Sequence, residues 1–231
     1  MLDVEKFNLL DDRKPEQNIK QKKTGRGCKR ECTGGLHSSC IKLEDKFLYR
    51  RAFSELSLLE ILDAEKFEDG ENYHFMTGGD IDSLSYLKVI LNKQDLDYCL
   101  LSTWCMSLDD ILQIRQWAEQ GRIKKLDCYV GEIFPGSYKR EHEQLKQIVD
   151  EFKLGRVCVF KNHSKVFAGV GDRFSFGINS SANINTNPRT ENGSIIIGDD
   201  IFNFYKDFFD DVHSFTDDYH GWEKWQDHVS R

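Results

Sequence analysis

At 231 residues the chain suits one α/β domain with additions, and its 39% hydrophobic and 31% charged content is that of a globular protein with a sizeable core. No apolar run of about 18 residues occurs, so nothing in the sequence reads as a membrane-spanning helix. The net charge of −7 counts against a general nucleic-acid binder, but it is unevenly spread. Residues 13–30 hold eight Lys or Arg against Glu16, and residues 199–227 hold nine acids against Lys206 and Lys224. The basic stretch is compatible with phosphate attraction at one end and equally with a solvated, flexible leader.

The opening MLDVEKFNLLDDRK lacks the basic-then-apolar pattern of a signal peptide, and seven cysteines, an odd number, favour reduced thiols and a cytoplasmic location. Three regions are expected: an irregular basic arm over 1–46, an α/β body over 47–214, and an acidic, aromatic tail over 215–231. In the arm, Cys28, Cys32, His37 and Cys40 are four soft ligands within 13 residues. They fit either a tetrahedral zinc site or loose thiols. Residues 52–66 read as an amphipathic helix with Phe53, Leu56, Leu59, Ile61 and Leu62 inward and Ser57 and Glu60 spaced as a capping box. A strand over Tyr73–Thr77 then turns at Gly78-Gly79-Asp80 into a helix with Ile81, Leu84, Leu87 and Leu91 on one face and Asp80 as N-cap. That junction could bind an anion, but it lacks the further glycines and the lysine of a nucleotide loop, which favours a plain capped turn.

Leu96–Thr103 reads as a buried strand, and Ser107 with Asp110 caps a helix bearing Leu108, Ile111 and Leu112. A strand over Lys124–Val130, a helix over Ser137–Phe152 and a strand over Arg156–Phe160 follow. Strands alternating with helices predict right-handed βαβ units and a mixed, mostly parallel sheet flanked by helices. After a hairpin, Ser194–Ile197 reads as a strand and Asp200–Val212 as a helix with Ile201, Phe204, Tyr205, Phe208 and Val212 inward. Asp217–His228 reads as a short amphipathic helix using Trp222 and Trp225. Cys99, Cys105, Cys128 and Cys158 fall in apolar contexts and are expected to be small core residues.

The chemistry concentrates in Asn162–Glu191, NHSKVFAGVGDRFSFGINSSANINTNPRTE. Side chains two apart on a strand share a face, so His163 and Lys165 would point together, as would Ser181 and Asn183 if extended. Paired as neighbouring strands, they gather an imidazole, an ammonium, a hydroxyl and a carboxamide, a set suited to a phosphate. His-x-Lys, then Ser-x-Asn after a hairpin, then an acidic residue at Glu191 resembles the HKD motif of the phospholipase D superfamily over about residues 156–212. Val170 stands where that motif has its Asp, Ser180 stands where it has its Gly, and the hairpin is longer than in compact bacterial nucleases.

The resemblance implies a phospholipase D-like fold and a phosphodiesterase that needs no cofactor and no metal, because ammonium groups take the metal's place. His163 would form a phosphohistidine, Lys165 and Asn183 would stabilise the non-bridging oxygens, and Glu191 would orient an imidazole. Ser181 and Arg189 join the phosphate-binding set, although Arg189 fits a solvent-facing loop equally well. With one motif in the chain, the resemblance also implies an isologous homodimer whose two-fold carries the site and whose second His163 protonates the leaving group. A nuclease acting on DNA or RNA is the first expectation. The alternatives are a lipid or small-ester phosphodiesterase and a weakly active or silent module gripping nucleic acid or a partner. The pattern is also similar to small phage- or prophage-encoded members.

Overall fold

Why the chain folds as it does is clearest at β2 (Leu96–Thr103), an eight-residue strand buried along nearly its whole length and flanked on both edges by other strands. The structure, a computed structural model, describes residues 46–185, 189–216 and 219–226, with side chains from Arg51 onward. The chain divides into two units, Met1–Leu43, which lies outside the described residues, and Glu44–Arg231. The basic arm and the set Cys28, Cys32, His37 and Cys40 therefore lie outside the described residues.

The remaining elements are α1 (Lys46–Asp63), β1 (Asn72–Thr77), α2 (Ser83–Lys93), α3 (Leu108–Glu119), β3 (Leu126–Gly131), the short α4 (Phe134–Ser137), α5 (Lys139–Glu151), β4 (Val157–Phe160), β5 (Val166–Gly171), β6 (Ser175–Ser180), β7 (Glu191–Ile197) and α6 (Asp199–Asp210). The seven strands form one mixed sheet in the order β1-β7-β6-β5-β2-β3-β4. Only β2–β3 and β3–β4 are parallel pairs; the other four pairs are antiparallel. The expected mostly parallel sheet is thus corrected to a mostly antiparallel one. Helical crossovers persist only up to β4. Beyond it the chain returns through the β5–β6 hairpin, adds β7, and leaves β1 as the outer neighbour of β7, so local turns replace crossovers.

Helices cover the sheet unequally. On one face α2, α3 and α5 bury Leu84, Leu87, Ile111, Ile114, Leu145 and Ile148 in the main core with Phe167, Phe176 and Ile178 of the sheet. On the other face α6 lies over β5 and β6, joining Phe202 and Phe209 to Tyr98, Tyr129 and Ala168. Gly177 admits this helix: a Cβ there would lie 2.6 Å from Ile201 Cγ1. The four cysteines expected in the core are free and buried.

Local details differ from expectation in informative ways. α1 starts before residue 52, so Ser57 and Glu60 lie inside it and cap nothing. Its inward residues include Leu58 and Leu62, whereas Phe53, Leu56 and Ile61 are exposed. The cap of α2 is Asp82, whose carboxylate accepts from the Leu84 and Ser85 N–H groups; Asp80 instead accepts from the Ser54 hydroxyl. Ser107 caps α3 as expected. On α6, Phe204 and Phe208 point outward at 66% and 62% exposure, and Phe202 and Phe209 take the inward places.

No helix forms in the described part of the C-terminal segment, 219–226. It lies as a strap: Trp225 stacks on Tyr98 at 4.9 Å, and Trp222 donates to Asp127 (2.8 Å) while covering the Arg156 guanidinium at 3.5 Å. Two strong side-chain anchors replace the backbone bonds a helix would supply. The outer edge of β4 is closed by the preceding segment, where the Phe215 N–H donates to the Val159 carbonyl at 2.7 Å.

Candidate active site

Chain direction decides where the chemistry collects. β2, β3 and β4 run parallel, so their C-terminal ends share one edge of the sheet, and β5, running the other way, starts there. β6 ends at that edge and β7 begins there. Asn162–Lys165, Ser181–Asn183 and Glu191 are therefore brought to one side of the fold by topology.

His163 and Lys165 precede β5 and lie in no strand, although the Lys165 carbonyl accepts from the Ser180 N–H at 3.0 Å. The Lys165 ammonium donates to the His163 carbonyl at 2.6 Å and stands 3.0 Å from Nδ1 and 3.4 Å from Nε2 of the same ring. The imidazole is exposed and the lysine is only 7% exposed. Burial pulls the Lys165 amine below its ordinary value, opposed by the nearby Cys105 thiol and Glu191 carboxylate. Among the described residues Lys165 makes no ion pair, which leaves a largely buried cation available to an anion. The Trp104 ring lies 5.5 Å from the imidazole.

The hydroxyl and the acid are joined. Ser181 donates to the Glu191 carboxylate and its Oγ accepts from the Asn192 N–H at 2.9 Å. Glu191 acts on Lys165 through its charge and makes no bond to His163 among the described residues. Ser180, in the place of the motif glycine, donates to the Asn192 carbonyl and accepts from the Ala182 N–H, which bends the chain out of β6. Asn183 follows that bend. Its carboxamide makes no hydrogen bond among the described residues, and its Oδ1 is buried without a partner. Arg189 is exposed, next to residues 186–188 that lie outside the described set.

Asn162 is the residue that sequence reasoning passed over. Its Nδ2 donates to Ser102 Oγ (2.9 Å), the Tyr129 carbonyl (3.0 Å) and the Thr103 carbonyl (3.2 Å), and its Oδ1 accepts from Ser164 N and Oγ at 2.9 and 2.7 Å. Ser164 and Ser102 share a further bond of 2.6 Å. One buried amide thus ties the His163 loop to the ends of β2 and β3. The signal available in sequence was an Asn directly before the motif, at a strand end where its side chain can bond the backbone two residues on. Gly131 completes the seat: a Cβ there would fall 2.6 Å from Trp104 Cδ1 and 3.1 Å from the Asn162 carbonyl oxygen.

No protein-family model and no curated protein matches the chain. Among solved structures the chain is similar to a polyphosphate kinase from Porphyromonas gingivalis, with 14% identity and a TM-score of 0.45 over 60% of this chain and 25% of that one. The chain spans about a quarter of that kinase, and a likeness of this size says nothing about chemistry.

Proposed function

We propose that the protein is a metal-independent phosphodiesterase of the phospholipase D type, most plainly a nuclease, acting through a phosphohistidine on His163. The observation that carries this is the buried Lys165 ammonium, without a carboxylate partner among the described residues, held against an exposed imidazole. A buried cation lacking a counterion is costly unless an anion completes it, and the imidazole beside it is a nucleophile for that anion's phosphorus. In this reading a phosphodiester draws the Lys165 hydrogens onto its non-bridging oxygens. The ring lone pair thus released attacks phosphorus in line, and water later cleaves the phosphohistidine. Asn183 supplies a second donor, with Ser181 and Arg189 as outer phosphate contacts. Glu191 orients an imidazole.

The leaving oxygen needs a proton, and among the described residues the groups recorded against the His163 ring are Lys165 and Trp104. The proposal therefore includes a homodimer in which a second copy's imidazole serves as acid. The trough of about 480 Å³ beside the motif is lined by His74, Asn179, Ser181 and Asn192 and also by Phe75 and Met76, which does not separate nucleic acid from lipid. Nucleic acid is preferred for the basic stretch over residues 13–30. A role in phage-related DNA processing remains an analogy with the superfamily.

The test is incubation of the full chain in chelator with single- and double-stranded DNA and RNA. Cleavage is expected in the wild type. It should fall below detection in His163→Ala and by about a hundredfold or more in Lys165→Ala, the order seen when one transition-state donor is removed. Tight, salt-sensitive binding with no cleavage would instead mark a binding module.

A further inference from the structure

We propose that Arg51, through Asp82 and Asp110, is a positioning residue for Asn183. This rests on the phosphodiesterase reading and adds the device that aims its carboxamide. Because the Asn183 side chain has no hydrogen bond of its own among the described residues, its place is set by the backbone around it. That backbone is held at three points. The Ser83 N–H donates to the Asn183 carbonyl at 3.4 Å, the Ser107 N–H donates to the Ile184 carbonyl at 2.8 Å, and the Ile184 N–H donates to Thr103 Oγ1 at 3.3 Å. Ser83 opens α2 and Ser107 caps α3, so two helix N-termini grip adjacent residues of the catalytic segment.

The distance between those N-termini is fixed by one side chain from α1. Arg51 Nη2 donates to Asp110 Oδ1 at 2.6 Å, and Nη1 stands 3.0 Å from Asp82 Oδ2 as an ion pair outside hydrogen-bond alignment. Asp82 is the cap of α2 and wholly buried; Asp110, 2% exposed, takes the hydroxyl of the α3 cap Ser107 at 2.5 Å. Glu55 holds the guanidinium from behind at 3.0 Å and is itself paired with Lys88 at 2.7 Å. Two buried carboxylates side by side repel unless a cation sits between them, and a planar fork suits that task better than an ammonium. Removing Arg51 lets the two helix ends part, and the Asn183–Ile184 backbone parts with them. A displacement on the order of 1 Å at a catalytic donor is worth about a hundredfold in rate.

A double-mutant cycle with Asn183→Ala tests this, using the full chain and bis(p-nitrophenyl) phosphate as probe, with rates normalised to the folded fraction. Arg51→Met is expected to lower kcat by about ten- to a hundredfold with little change in KM. In the Asn183→Ala background the same change should cost almost nothing further, because the group it aims is gone. Arg51→Lys should lie between, and Arg115→Met, on the exposed face of α3, should match the wild type. An equal loss in both backgrounds, or a loss that vanishes on normalisation, overturns the proposal. If Arg51→Met does not fold, Asp110→Asn replaces it in the cycle with the same expectations. If the wild type leaves the probe and all nucleic acids intact, the phosphodiesterase reading fails. The clamp is then judged by the Asn183 side-chain NH2 resonances, identified by their loss in Asn183→Ala. Movement in Arg51→Met but not in Arg115→Met upholds the clamp, and unmoved resonances overturn it.

Discussion

Lys165 holds a demanding position, because the residue is only 7% exposed and its ammonium has no carboxylate partner among the described residues. Burial lowers its pKa from 10.5, and the opposing influence of Cys105 and Glu191 does not restore it. Two signs follow. For stability, the unfolded chain holds this proton more tightly than the folded one, so the free protein gains stability as pH rises between the lowered value and 10.5. For activity the sign reverses, since only the ammonium can neutralise a phosphoryl oxygen. The alkaline limb of kcat/KM should therefore fall below pH 10.5, and Lys165→Arg should push that limb upward while reducing the maximum rate, as a pH–rate profile on the probe substrate would show. The pair His163 and Lys165 was legible because His-x-Lys, common by itself, stands before Ser181-x-Asn183 and Glu191, and the combination is not common. Asn162 was not, because three of its five bonds reach Ser102, Thr103 and Tyr129, which are distant in sequence, and only the two from Ser164 are local.

At the scale of elements, α6 shows how far a periodic pattern can mislead. Ile201, Phe204, Tyr205 and Phe208 make a convincing apolar stripe, yet only Ile201 and Tyr205 meet the sheet, at Gly177, and the helix is rotated to bury Phe202 and Phe209. Accordingly Phe202→Ala or Phe209→Ala should cost about 3–5 kcal/mol, and Phe204→Ser or Phe208→Ser less than about 1 kcal/mol, in urea unfolding of the full chain. An equal cost at all four positions would mean that the outward phenylalanines are covered in solution. The same limit applies to α1, where Phe53 and Leu56 look inward by spacing and are exposed. Helix periodicity gives the width of the apolar stripe, but with aromatics on several faces it does not choose the rotation. The caps fared better where one residue dominates: Ser107 was legible, while Asp80 and Asp82 offered two carboxylates within three positions and tertiary contacts chose between them. Asp82 carries a pH consequence, because burial and the Asp110 carboxylate push its carboxyl upward against the pull of Arg51. A raised carboxyl stabilises the fold at low pH, and that contribution is lost as pH rises through the folded value. Asp82→Asn, which keeps a capping oxygen and carries no charge, should therefore gain stability relative to the wild type as pH rises from about 5 to about 8, read by urea unfolding at the two pH values.

For the whole molecule, the sheet is where sequence reasoning stopped short. The strand segments themselves were legible, since Leu96–Thr103 and the motif hairpin emerge from apolar runs and turn residues. Their order was not, because pairing β1 with β7 joins residues about 120 apart, and only the assembled sheet selects that edge. The same gap between local pattern and assembly bears on catalysis. A single subunit supplies one motif imidazole at the sheet edge, whereas phosphohistidine chemistry needs a nucleophile and a separate acid. If a second copy supplies the acid, the two imidazoles belong to one site and can be diluted. Mixing wild type with equal His163→Ala under exchanging conditions should then leave about a quarter of the activity, because only dimers with two intact rings turn over, whereas independent sites would leave about half. The rate should follow the square of the wild-type fraction across a titration, and Lys165→Ala should poison the mixture in the same way. A linear response from a monomeric species in sedimentation would move the acid back into the chain, and Glu191, already acting on Lys165, would become the group to test by Glu191→Gln.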